Sequence, residues 1–215
     1  MGLLSNLFND PFKPSNGKWL FIGDSQTNTM ATNYVNQLKN MIGFTKFKII
    51  QKNGAPTSWM VAELNKELAI TPNYDYVVMW GGYNDMYGSQ PPEQARVTAF
   101  NNLRSMVTKV KGGLGSLGKP RKAIVVNLHC DSLRGEGVRS KANEVQTAIL
   151  YKDIFRTGAN YVVPTRTLTG GCPQDLATLV TNRKTFCQKN DSLCHLNPVG
   201  NKAIATNISQ KIKWI

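Results

Sequence analysis

Histidine is scarce in this chain: His129 and His195 are the only two among 215 residues, which narrows the search for a base that works near neutral pH. His195 stands in the run Asp191-Ser-Leu-Cys-His195-Leu-Asn-Pro-Val-Gly200. Far upstream, Gly23-Asp24-Ser25-Gln26 follows the apolar run Trp19-Leu-Phe-Ile22, so a serine is presented where a strand should end. Two further polar blocks follow apolar runs in the same way, Asn53-Gly54 after Phe47-Lys-Ile-Ile50 and Gly82-Tyr-Asn84-Asp85 after Tyr76-Val-Val-Met-Trp80. A serine hydroxyl is a poor nucleophile until an imidazole within hydrogen-bond reach takes its proton. A glycine N–H and an asparagine amide are the kind of donors that steady the oxyanion formed when an ester carbonyl is attacked. The residue types therefore point to acyl transfer.

Such groups act together only if the elements that carry them end at one place. Five short β-rich runs, at 19–22, 47–50, 76–80, 123–126 and 161–163, alternate with helix-period segments around 29–41, 59–68, 92–110, 138–155 and 198–212. Pro92 and Pro198 suit helix first turns, where a missing N–H costs nothing. Strict alternation predicts parallel βαβ units in an α/β fold, a three-layer α/β/α sandwich. In such sheets functional groups collect beyond the carboxyl ends of the strands, where Ser25, Gly54 and Asn84 would all fall. The Gly-rich run 112–118 contains Gly113-x-Gly115-x-x-Gly118, but it follows a helix and feeds a strand, the reverse of a dinucleotide site, and reads as a flexible connection.

With these four blocks in this order, the chain resembles the SGNH hydrolases, also called GDSL-like esterases and lipases. The resemblance runs from Gly23 to Gly200 and rests on Gly23-Asp24-Ser25, Gly54, Gly82-x-Asn84-Asp85 and His195 with the Leu-Asn-Pro-Val-Gly that follows. It implies a flavodoxin-like sheet of five parallel strands and a carboxylic ester hydrolase needing no cofactor and no metal. Ser25 would be nucleophile, His195 base, and the Ser25 N–H, Gly54 N–H and Asn84 amide the oxyanion donors. The family usually places its acid three residues before the histidine; here that position is Ser192, and Asp191 lies four before. Asp191 is the expected acid, Asp175 the substitute, and Asp24 and Asp85 are read as braces within their loops. The G-x-S-x-G elbow of the α/β-hydrolases is absent around Ser25.

Each residue also has a plainer reading. Ser25 could cap the helix that follows it. His129, beside Cys130, suits a wall of the pocket. Cys187, Cys194 and His195 lack a fourth metal ligand, and pairing among Cys172, Cys187 and Cys194 leaves one cysteine over. Trp80, Tyr83, Met86 and Tyr87 flank the third block, either as a platform for sugar rings or as ordinary packing.

A formal net charge of +13 and a hydrophobic content of 41% exclude an acidic solvating protein and wholesale disorder, and no apolar run approaches the roughly 18 residues of a membrane span. Residues 96–166 hold 13 Lys and Arg against four acids, a candidate face for an anionic polymer. No nucleic-acid motif accompanies it, so nucleic acid is not the expected partner. Residues 1–18 are expected to form an N-terminal extension and 19–215 a single domain. The start lacks the features of a secretory signal peptide, which predicts synthesis in the cytoplasm without export by that route. Leu3, Leu4, Leu7 and Phe8 share a helical face, which either packs on the domain or anchors a protein partner. The expected activity is removal of short, acetyl-like acyl groups from a glycan. The Gly-Asp-Ser-Gln-Thr block, similar to those of phage-encoded members, adds the expectation of a virion-associated enzyme acting on bacterial surface polysaccharide or peptidoglycan. The alternative is a virion binding or structural protein that keeps the scaffold without turnover.

Overall fold

The computed structural model describes residues 13–27, 32–128, 141–169, 185–188 and 195–215. Five strands, β1 (Trp19–Gly23), β2 (Phe47–Gln51), β3 (Tyr76–Trp80), β4 (Lys122–Val126) and β5 (Tyr161–Val163), form one sheet in the order β2-β1-β3-β4-β5. Every neighbouring pair is parallel. The helices are α1 (Tyr34–Ile42), α2 (Thr57–Ile70), α3 (Pro92–Lys111), α4 (Lys141–Ile154), the short α5 (Thr165–Leu168) and α6 (Pro198–Lys211). This is the expected three-layer, flavodoxin-like sandwich.

Period-two alternation divides each central strand between two cores. Leu20 and Ile22 of β1, Val77 and Met79 of β3, and Ala123 and Val125 of β4 pack with α2, α3 and α4. Trp19 and Phe21, Val78 and Trp80, and Ile124 and Val126 pack with α1 and α6. The second core is aromatic, with Trp19 stacked on Tyr76 at 4.3 Å and on Phe44 at 4.8 Å between ring centroids. Each such fully buried aliphatic or aromatic side chain contributes about 1.5–3 kcal/mol to folding.

Helix α1 starts later than the sequence pattern suggests. Asn33 holds extended backbone, and its side chain accepts the Asn36 N–H at 2.9 Å, which fixes the N-cap there. At the other end Gly43, at φ 83°, closes the helix in a left-handed turn.

The Gly-rich connection is pinned rather than flexible, which corrects the expectation from sequence. The Asp75 carboxylate accepts the Lys18 N–H at 2.7 Å, the Leu117 N–H at 2.9 Å and the Ser116 hydroxyl at 2.5 Å, tying the entrances of β1 and β3 to this loop. A Cβ on Gly115 would lie 2.3 Å from Asp75 Oδ1, so only glycine permits the approach. Asp75 lies at the amino edge of the sheet, opposite the ends of β1 and β3.

Residues 13–18 of the expected extension pack on the domain: Pro14 O accepts the Trp19 indole N–H at 3.0 Å. The described basic residues of 96–166 take separate places. Arg96 donates to Asp153 at 2.6 Å and Gln146 at 2.7 Å, Arg121 is buried against Gly113, and Lys119 and Lys122 line a cleft at the amino edge. Arg104 and Lys109 lie in a groove beside Asn65. Among the described residues no helix is long and apolar enough to cross a membrane.

Replacing Asp75 with alanine strands donors that now share one carboxylate. Asp75→Ala should lower stability by about 2–4 kcal/mol, seen as a lower urea midpoint with an unchanged slope. A midpoint equal to that of the wild type would show that these bonds do not hold the amino edge together.

Candidate active site

The chain leaves β1 toward β2 on one side and returns to β3 on the other, so a crevice opens at the carboxyl ends of β1 and β3. Gly23, the last residue of β1, sits where a Cβ would lie 2.3 Å from Thr27 Oγ1 and 2.5 Å from Trp80 O. Without a side chain there, the chain folds back at once into the 3-10 turn Ser25–Thr27, closed by the Thr27 N–H to Asp24 O at 3.0 Å. This turn lifts Ser25 into the crevice, partly exposed.

Ser25 Oγ lies 2.7 Å from His195 Nε2, a hydrogen bond between residues 170 positions apart. Ser25 does not cap α1, a role taken by Asn33. His195 is placed by a short antiparallel bridge, Cys187 to Leu196, in which the Gln188 N–H donates to His195 O at 2.8 Å and the Asn197 N–H to Phe186 O at 2.8 Å. The residues after His195 each have a local task. Leu196 enters the aromatic core, Asn197 caps α6 by accepting the Val199 and Gly200 N–H groups, and Pro198 occupies the first turn. Gly200 passes so close to Phe186 O that a Cβ would lie 2.7 Å from it.

Gly54 follows β2, paired in register with β1, and has φ 70°, a left-handed conformation that favours glycine. Asn84 opens the 3-10 turn Asn84–Tyr87 after β3. Its Nδ2 donates to Asp24 Oδ2 at 3.1 Å and to Ala55 O at 3.2 Å, so both amide protons already have acceptors. The structure thus brings Ser25 and His195 into contact, links Asn84 to the residue before Ser25, and puts Gly54 on the loop of the neighbouring strand. Asp191, Asp175, His129, Cys130, Cys172 and Cys194 lie outside the described residues.

The two acids within the blocks brace their loops. Asp24 Oδ1 accepts the Gln26 N–H at 3.0 Å. Asp85 accepts the Thr57 N–H at 2.9 Å and the Thr57 hydroxyl at 2.5 Å, holding the β3 exit against the start of α2. Burial pushes both carboxyls above the usual range, Asp24 to about 6, while the Gln26 N–H and nearby His195 pull Asp24 back.

Sequence reading missed Gln26. Its side-chain oxygen accepts the Leu196 N–H at 3.3 Å and joins the Ser25 turn directly to the histidine loop. The only signal was its place next to Ser25. Trp80, Tyr83 and Met86 are buried, Trp80 against Tyr34 in the aromatic core and the other two in the opposite core. These three residues pack rather than form an open platform. Cys187 is engaged in a disulfide, which removes it as a metal ligand.

No family model and no curated protein sequence matches the chain. Solved structures match over nearly its whole length. The lipase Lip_vut3 from a goat rumen metagenome is 15% identical with a TM-score of 0.68, covering 89% of this chain and 95% of that one. Axe2, an acetylxylan esterase from Geobacillus stearothermophilus, is 17% identical with a TM-score of 0.60, covering 94% and 96%. A member of the lipolytic protein G-D-S-L family from Veillonella parvula is 12% identical with a TM-score of 0.60, covering 92% and 99%. The fold is that of the SGNH hydrolases.

The folded value for Asp24 lies above the unfolded carboxylate value of about 4, so the folded state holds this proton more tightly than the unfolded chain does. The resulting stabilisation is full below about pH 4 and is lost as pH rises through about 6. Asp24→Asn cannot ionise. It should therefore gain stability relative to the wild type between pH 4 and 7, by roughly 2–3 kcal/mol, in urea midpoints taken across that range. Parallel profiles for the two proteins would rule out a proton held at Asp24.

Proposed function

We propose that the protein is a serine esterase that removes short, acetyl-like acyl groups from a glycan. The observation that carries the reading is the 2.7 Å bond between Ser25 Oγ and His195 Nε2 at the switch point of the sheet. In the neutral tautomer with its proton on Nδ1, His195 accepts the Ser25 proton through Nε2 as Oγ attacks the ester carbonyl. The imidazolium then gives that proton to the departing alkoxide, and a water activated by the same nitrogen hydrolyses the acyl-enzyme. Asp191 is assigned the task of orienting the imidazole and stabilising its charged form.

Negative charge on the carbonyl oxygen is met by the Ser25 and Gly54 N–H groups and the Asn84 amide, each such donor lowering the barrier by about 3–4 kcal/mol. The carbonyl oxygen competes with Ala55 O for an Asn84 proton, while the bond to Asp24 keeps the amide aimed. A short acyl group is favoured by the acetylxylan esterase among the similar folds. Arg104 and Lys109, beside Asn65, are basic residues of 96–166 available to an anionic polymer. The virion setting, with bacterial surface polymer or peptidoglycan as target and the N-terminal extension, residues 1–18, as an anchor for a protein partner, rests on the sequence pattern.

A second reading, an SGNH scaffold without turnover, is favoured by the shifted position of Asp191 and the prior engagement of both Asn84 amide protons. A fluorophosphonate separates the two. Stoichiometric modification of Ser25, with hydrolysis of a chromogenic acetate ester falling at least about 1,000-fold in Ser25→Ala, supports the esterase. Asn84→Ala should reduce kcat by about 100- to 1,000-fold. An inert Ser25, or turnover that survives Ser25→Ala, would sink the proposal.

A further inference from the structure

Arg166 lies on α5, directly after β5, at the same sheet edge as Ser25 and Asn84. Its backbone is fixed in place, because the Thr165 hydroxyl bonds to Asn127 O at 3.0 Å and Leu128 O at 2.5 Å, where β4 ends. The guanidinium lies over the Tyr151 ring, 4.4 Å from its centroid, and within electrostatic reach of Tyr83, the residue before Asn84. Among the described residues, its buried Nε has no hydrogen-bond partner. Burial pulls the arginine below its usual pKa, and the groups that oppose this are the two tyrosines rather than a carboxylate.

Arg96, also half-buried, is held differently. Its fork is spent on Asp153 and Gln146 of α4. A desolvated guanidinium without a carboxylate is costly to maintain unless a ligand supplies one. The planar fork suits a carboxylate through two parallel bonds, and a single cation matches a single negative charge.

We propose that Arg166 binds a substrate carboxylate, and that the ester attacked by Ser25 is carried by an acidic sugar, an acetylated uronate, rather than a neutral one. The inference rests on the esterase reading. An acetylated methyl glucuronoside and its uncharged uronamide form a matched pair of substrates. The wild type should favour the acid by at least about tenfold in kcat/KM, less at high salt. Arg166→Gln should erase the preference, and Arg166→Lys, which keeps the charge over Tyr151 but not the fork, should keep only part of it. An equal preference in wild type and Arg166→Gln, or no preference in the wild type, overturns the proposal. Should Arg166→Gln fail to fold, a Lys variant with the full wild-type preference overturns it instead. Turnover of neither compound, together with an unlabelled Ser25, overturns the esterase reading. Calorimetric binding of the acid to Ser25→Ala, and its loss when Arg166→Gln is added, then decides the subsite alone.

Discussion

A sheet whose strands all run one way delivers every exit loop to the same edge, and the rest of this molecule follows from that constraint. The order β2-β1-β3-β4-β5 sends the chain outward in opposite directions from the centre, so the exits of β1 and β3 meet with no helix crossing between them. Separate stretches of sequence can then be tied to one another at one edge. The geometry is held by short polar ties rather than by packing alone. Asp24 joins the Ser25 turn to Asn84, Asp85 joins the Asn84 turn to α2, and Gln26 joins the Ser25 turn to the histidine loop. Each tie bridges two exits, so the loops form a connected frame.

The sequence made the strands and their alternation with helices legible because the continuous apolar runs Trp19–Ile22 and Tyr76–Trp80 are what strands buried on both faces require. Ser25, Gly54, Asn84 and His195 were legible as well, since each follows a strand or precedes a helix with a recognisable cap. Helix α1 was misjudged at its start because Asn33, a polar residue inside the periodic pattern, takes the backbone out of the helix. The Gly-rich loop was misjudged for another reason. Glycine signals flexibility in sequence, but at Gly113 and Gly115 the missing side chain admits the Arg121 guanidinium and the Asp75 carboxylate. Gln26 was invisible because its partner, Leu196, lies 170 residues along the chain.

Charge shows the same limit of linear reading. Counting basic residues between 96 and 166 suggests one cationic surface, yet the described ones are scattered. Arg96 ties α3 to α4, Arg121 backs the glycine turn, Lys111 reaches Gly158 O at 2.9 Å, and Arg166 rests on an aromatic ring. Long side chains with planar or mobile heads serve as struts here.

The cleft at the amino edge is lined by Lys13, Pro14 and Ser15 at one end of the described chain and by Ile212, Lys213 and Ile215 at the other. These residues therefore lie at the opposite end of the strands from the Ser25 crevice. A scaffold, surface or fusion partner seated at that cleft would hold the molecule by its base and leave the Ser25 crevice turned outward.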